Sequence, residues 1–127
     1  MLNSVAQVGI MGLAGALGAL FRYLFSRYVA ERTRAQFPLG TLLINLSGSF
    51  VIGLIAGLVG QRLFSPMLQL FLATGFLGGY TTFSTMSWEG VQLARSGSMR
   101  VSVFYLGGSL VLGLLAALLG LLVGSWL

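Results

Sequence analysis

Hydroxyl side chains cluster in one apolar stretch of this 127-residue sequence. Residues 74–89 read TGFLGGYTTFSTMSWE, in which Tyr, Thr and Ser follow the pair Gly78 and Gly79. Carbonyl oxygens of such a stretch can bind a cation, whereas its N–H groups can bind an anion. Side chains for most enzyme chemistry are absent, because the chain contains no His, Cys, Lys or Asp and its acids are Glu31 and Glu89. We therefore expect a protein that binds or conducts ions and is not an enzyme.

The composition is that of an integral membrane protein. Hydrophobic residues make up 57% of the chain and charged residues only 7%, against roughly 25% charged residues in soluble domains. The net charge of +5 comes from seven basic residues, all Arg, which lie singly between apolar runs. Arginines in this arrangement meet lipid headgroups, whereas nucleic-acid binding needs a basic patch that faces water. We expect the chain to lie in a lipid bilayer and not to bind nucleic acid.

Long runs with few charges predict four transmembrane helices in a single domain, 1–127. The helices are expected at about 4–29, 39–61, 67–94 and 101–125. Each run has at least the ~20 residues needed to cross the hydrocarbon. Four helices enclose little interior, so we expect the chain to oligomerise.

Small residues recur at intervals of four on two of these helices. In the second helix Asn45, Ser49, Gly53 and Gly57 share one face, and the fourth helix has a similar row that begins at Ser109. Small residues at this spacing let helices approach closely in lipid. We expect most of them to serve helix packing.

The third helix is predicted to be broken near Gly78–Thr82. Double glycine is a poor helix former, and a straight helix over 67–94 would be about 42 Å long. A break in the membrane is tolerated where the free backbone groups are buried in protein or line a cavity. The alternative is a kinked but continuous helix whose hydroxyls bond to its own carbonyls.

Other polar side chains are expected at mid-membrane depth. Asn45 lies in the second helix, and Tyr105 and Ser109 lie one turn apart in the fourth. Together with Ser84 and Thr85 they would form a series of neutral hydrogen-bond donors. Such a series suits a small, strongly hydrated anion, which must exchange water for other donors without being trapped by a full charge.

Four motifs in order resemble the Fluc (CrcB) family of fluoride channels, over nearly the whole chain. They are GALGALFRY at 15–23, GTLLINLSGSF at 40–50, GFLGGYTTFST at 75–85, and the Tyr-xxx-Ser spacing of Tyr105 and Ser109. The resemblance implies an antiparallel dual-topology dimer with two pores that export fluoride passively across the cell membrane. It also implies one structural Na⁺ at the dimer axis, held by the backbone carbonyls of Gly78 and Thr81.

The resemblance further assigns residues to the fluoride pathway. Glu89 corresponds to a position near a pore mouth and Arg22 to a position near an aqueous vestibule. The pore positions correspond here to Asn45, Phe83, Ser84, Thr85, Met86, Tyr105 and Ser109. Two of the family's residues are replaced: Met86 stands where the family has a second pore Phe, and Gly113 stands where it has a second Ser. A thioether offers no aromatic ring edge.

Three other functions are less compatible with the sequence. A small multidrug-type antiporter needs a membrane-embedded carboxylate in its first helix, and residues 4–29 contain no acid. A proton-coupled fluoride exchanger needs a titratable pore residue, and the candidate, Glu89, lies near a helix end. A purely structural subunit leaves the hydroxyl cluster unexplained.

The arginines near the predicted membrane surfaces are unevenly distributed. One side has only Arg62, whereas the other has Arg27, Arg32, Arg34, Arg95 and Arg100. Cytoplasmic loops carry the excess of basic residues, so this bias places both termini outside. Dual insertion normally accompanies balanced charge. The partner is therefore either a second copy that inserts in the opposite orientation, which we favour, or an oppositely biased paralogue.

Overall fold

The computed structural model describes residues 3–34, 37–63 and 65–127, and these form helices joined by short turns. In chain order the elements are α1 (Ser4–Arg32), α2 (Leu39–Gly60), α3 (Pro66–Gln69), a π-helical segment (Leu70–Leu77), α4 (Gly78–Tyr80), α5 (Phe83–Arg95) and α6 (Met99–Trp126). No strand occurs within the described ranges. The all-α prediction is confirmed.

Polar side chains mark the starts of two helices. The Asn3 side chain accepts a hydrogen bond from the Ala6 N–H at 2.7 Å, at the start of α1. The Ser65 hydroxyl accepts one from the Leu68 N–H at 3.1 Å, and Pro66 follows as the first residue of α3. These contacts satisfy N–H groups that have no partner inside the helix. The starts of α1 and α3 are therefore encoded by residues close in sequence.

The third predicted span is interrupted, as expected. Thr81 (φ −81°, ψ 156°) and Thr82 (φ −151°, ψ 117°) are extended between α4 and α5. The break lies inside the predicted 78–82 interval, and a continuous kinked helix is excluded. Within the described residues, three helices are long and apolar enough to cross a membrane by themselves, namely α1, α2 and α6.

The glycine pair is not where the chain leaves the helical conformation. Gly78 and Gly79 are both in α4, and helical geometry continues to Tyr80. A Cβ at Gly79 would overlap the Gly15 carbonyl of α1, and a Cβ at Gly18 would overlap the Phe76 carbonyl. Gly79 therefore permits a close helix approach. The break therefore lies in the predicted interval, but the prediction that the glycine pair causes it was wrong.

Small residues also bring α2 and α6 together. A Cβ at Gly53 would overlap the Ala117 carbonyl, and a Cβ at Gly120 would overlap the Phe50 carbonyl. Such close approach is the usual role of glycine in membrane helix packing. These glycines are thus occupied by contacts within one chain.

The outer surface of the chain is apolar. Among the residues that the structure describes, the buried hydrophobic side chains are few: Ala14, Ile44, Ile55, Leu77 and Tyr105. Large side chains such as Leu13, Phe104 and Leu114 are exposed. A surface of this kind is stable against lipid or another apolar protein surface, and not against water. With its three apolar helices and an interrupted third span, the chain is a multi-pass membrane protein.

Candidate anion pathway at the broken helix

Two threonines form the ends of the interrupted helix. The backbone N–H and the hydroxyl of Thr81 both donate to the Leu77 carbonyl, each at 2.9 Å. The Thr82 hydroxyl accepts a hydrogen bond from the Thr85 N–H at 3.1 Å and so caps the start of α5. Thr81 therefore completes the first half of the helix, and Thr82 begins the second.

The Asn45 side chain bridges to the backbone of the break. Its Nδ2 donates to the Thr82 carbonyl at 3.0 Å, and its Oδ1 accepts from the Thr82 N–H at 2.9 Å. Both backbone groups of Thr82 would otherwise lack partners in a nonpolar environment, where an unsatisfied group costs several kcal/mol. One amide of α2 thus stabilises the extended conformation and fixes α2 against the break.

The same contact changes the surroundings of Gly78. In an unbroken helix the Thr82 N–H would donate to the Gly78 carbonyl, four residues earlier. Here that N–H donates to Asn45, so the Gly78 carbonyl does not receive the hydrogen bond that a continuous helix would give it. Gly78 is exposed and Thr81 half-buried. Within the described residues no cluster of His, Cys, Asp or Glu could hold a metal, so a cation here would rely on backbone carbonyls, as Na⁺ sites at interrupted membrane helices do.

A concavity of about 340 Å³ adjoins the break and brings together four of the predicted pore residues: Asn45, Phe83, Met86 and Ser109. Ser49, one turn from Asn45, lines it as well. The polar groups that these five side chains contribute are an amide, two hydroxyls and a thioether, all without charge. An ion here would meet neutral hydrogen-bond donors.

Ser109 has an unusual position in this concavity. Its side chain is buried, with 7% of the residue exposed, and its hydroxyl has no hydrogen-bond partner among the described residues. Buried hydroxyls are normally hydrogen-bonded. Ser109 also lines a neighbouring concavity of about 390 Å³, together with Tyr105. Ser109 therefore borders both concavities, and its buried hydroxyl is a donor without a partner among the described residues.

A third concavity lies nearer the α1–α2 connection. It measures about 450 Å³ and is lined by Thr41, Thr85 and Glu89 among others. The Tyr105 hydroxyl donates to Glu89 Oε1 at 3.3 Å. This bond joins α6 to α5 and links the Glu89 region to the residues around Ser109.

The remaining predicted residues are less closely associated with these concavities. Ser84 is exposed, and its hydroxyl lies 3.4 Å from that of Thr82. Arg22 is half-buried on α1 and is not among the residues that line the three concavities. Phe83 lines the first concavity, yet 77% of it is exposed. Its ring therefore contributes little to packing within the chain.

Sequence reasoning did not select three residues that the structure makes prominent. Thr82 caps α5 and is held by Asn45, Thr41 is buried beside the Glu89 concavity, and the Ser102 hydroxyl donates to the Gly90 carbonyl at 2.6 Å. For Thr82 a signal existed, because Thr is a common N-cap residue before a helix. Thr41 and Ser102 had no comparable local signal.

Comparison with known proteins identifies one family. The family described as "CrcB-like protein, Camphor Resistance (CrcB)" matches residues 9–121 of the chain. A protein of Acidobacterium capsulatum named "fluoride-specific ion channel FluC" is 45% identical over 116 residues, covering 91% of this chain and 93% of the relative. A Chlorobium chlorochromatii protein of the same name is 41% identical over 128 residues, covering 100% and 98%. A Listeria monocytogenes protein named "fluoride-specific ion channel FluC 1" is 45% identical over 116 residues, covering 91% and 94%.

Proposed function

The chain belongs to the CrcB family, and on this premise we propose that it is a fluoride-selective ion channel of the cell membrane. It lets fluoride leave the cell passively and so lowers the cytoplasmic fluoride concentration. The observation that carries the proposal is the concavity beside the broken helix, where the Asn45 amide and the orphaned Ser109 hydroxyl are neutral donors. The protein is a channel and not an enzyme.

Neutral donors favour fluoride for a physical reason. Fluoride is small and accepts shorter, stronger hydrogen bonds than chloride, so a narrow series of donors can replace its water. Phe83 adds the edge of an aromatic ring, which carries partial positive charge. The residues proposed to line the pathway are Asn45, Phe83, Ser84, Thr85, Met86, Tyr105 and Ser109. Glu89 is proposed to lie near the pore mouth and Arg22 near an aqueous vestibule.

Anion selectivity is the first test. Vesicles that contain the purified chain should release fluoride, measured with a fluoride electrode, and should retain chloride. Release should need no pH gradient, because the pathway uses neutral donors and no titrating carrier group. Chloride efflux of similar size, or strict dependence on a proton gradient, would contradict a passive fluoride channel.

The functional unit is proposed to be an antiparallel dimer with two pores. The exposed apolar surface and the exposed Phe83 ring support a protein partner. The partner we favour is a second copy of this chain, and the alternative is an oppositely oriented paralogue. The carbonyls of Gly78 and Thr81 from both subunits would hold one Na⁺ at the two-fold axis. The ion would thereby link the two subunits.

The cation site is best tested by structure. Side chains contribute little to it, so substitutions report on it poorly. A crystal structure of the dimer should show a density peak on the two-fold axis with oxygen distances typical of Na⁺. An axis with no such peak, in crystals grown in sodium salts, would contradict the site and leave the anion pathway unaffected.

Insertion in both orientations can be tested by chemical labelling. The chain has no native cysteine, so the variants Ser4→Cys and Leu127→Cys each carry one thiol near a terminus. A membrane-impermeant thiol reagent should label a substantial share of each variant from either face of the membrane. Labelling from one face only, together with no fluoride flux from the chain alone, would favour the paralogue as partner.

A further inference from the structure

One N–H of Asn45 is not used by the backbone of the break. A side-chain amide offers an oxygen acceptor and two N–H donors. The oxygen accepts from Thr82 and one N–H donates to Thr82. Besides the Thr82 carbonyl, the amide nitrogen has a second acceptor nearby. This acceptor is the sulfur of Met86, and the distance between Nδ2 and Sδ is 3.9 Å.

A thioether holds that hydrogen only weakly. Sulfur in methionine is a weak acceptor, and 3.9 Å is long for a hydrogen bond to it. Asn45 and Met86 line the same concavity as Ser109, whose buried hydroxyl has no partner among the described residues. Two donors without a strong acceptor, the second N–H of Asn45 and the hydroxyl of Ser109, thus belong to residues that border one space of about 340 Å³.

We propose that Met86 is a positioning residue that acts through Asn45. Its sulfur accepts the spare Asn45 N–H while the pathway is empty, and it yields that N–H to fluoride when the ion arrives. The inference rests on the proposed fluoride channel. It concerns a property particular to this chain, since the resemblance places a Phe at this position and a phenyl ring has no thioether lone pair.

Weak acceptance is the useful property here. A carboxylate or a carbonyl at position 86 would bind the N–H strongly, and fluoride would have to displace it at a much higher cost. No acceptor at all would leave the amide hydrogen unsatisfied and free to bind the ion more tightly. Met86 is therefore expected to weaken resting fluoride binding and so to ease release.

Nuclear magnetic resonance of the full chain in lipid nanodiscs tests this directly. The sequence contains two asparagines, Asn3 and Asn45, so ¹⁵N-asparagine labelling yields two side-chain amide signals. Asn3 caps α1 and is the internal control. Sodium fluoride should shift the Asn45 signal and the ¹³C-methyl signal of Met86, and should leave Asn3 in place. Single Met→Leu changes at Met11, Met67 and Met99 identify their methyl signals and so help to assign that of Met86 without altering it.

The variant Met86→Leu removes the sulfur at nearly constant volume. The fluoride concentration that half-shifts the Asn45 signal should fall roughly three-fold, because the ion no longer displaces an acceptor. Met99→Leu, at an exposed position at the start of α6, is the matched control and should leave that concentration unchanged. An equal half-shift concentration in wild type and Met86→Leu would overturn the proposal.

The wild-type measurement decides the matter if Met86→Leu does not fold. The protein could release fluoride from vesicles while its Met86 methyl signal does not shift with sodium fluoride. This result would overturn the role of Met86 and leave the proposed channel function unaffected. A wild-type chain that releases no fluoride from vesicles would overturn the proposed function itself, and the ligand assumed for Met86 with it.

Discussion

We expect the substitution Phe83→Ile to reduce fluoride efflux at least about ten-fold while the protein still assembles. Isoleucine keeps the site apolar but removes the ring edge that would face the anion. Phe83 is 77% exposed within the chain, so its replacement removes little packing inside one subunit. The measurement is the initial rate of fluoride release from vesicles, normalised to the amount of assembled protein determined by size-exclusion chromatography.

Two other substitutions serve as controls for this result. Phe71→Ile changes a ring that lines a separate apolar concavity beside Met11 and Met67, and its flux should stay near that of the wild type. Met86→Phe would restore the family's pair of aromatic residues and should be tolerated. Undiminished flux in Phe83→Ile would assign that ring to packing and remove it from the proposed pathway.

The second large effect is expected from Asn45→Leu. This change leaves the Thr82 N–H and carbonyl without their partner, and Thr82 is only 8% exposed. An unsatisfied buried group costs about 1–3 kcal/mol, so the free energy of unfolding should fall by about 2–6 kcal/mol for the two groups together. Fluoride flux should be lost as well, because a donor proposed to face the anion disappears along with the geometry of the break.

Thermal unfolding in detergent and vesicle efflux together measure the effect of Asn45→Leu. Ser47→Ala is the matched control on α2, since the Ser47 hydroxyl bonds to Ile44 and Tyr80 and not to Thr82. It should lower stability by about 1 kcal/mol at most and keep most of the flux. If Asn45→Leu were as stable and as active as Ser47→Ala, the Asn45–Thr82 contact would have no part in holding the break.

Local properties of the sequence were sufficient for the class of protein and for the position of the break. Few charges and long apolar runs predict membrane helices because charge is costly in hydrocarbon. The capping of α1 by Asn3 and of α5 by Thr82 involves residues three positions apart, so sequence alone contains both partners. The interval 78–82 was likewise predictable as the site of the interruption, although glycine was given the wrong role there.

Only the tertiary structure decided how the interruption is stabilised and which polar groups lie around the concavity beside it. The Asn45–Thr82 contact joins residues 37 positions apart, and it forms because close packing brings α2 beside the break. The same packing leaves Ser109 buried without a hydrogen-bond partner among the described residues and brings Met86 within reach of Asn45. No local pattern encodes such contacts, because they depend on the distances between helices, which glycines such as Gly79 and Gly53 set by allowing backbones to meet.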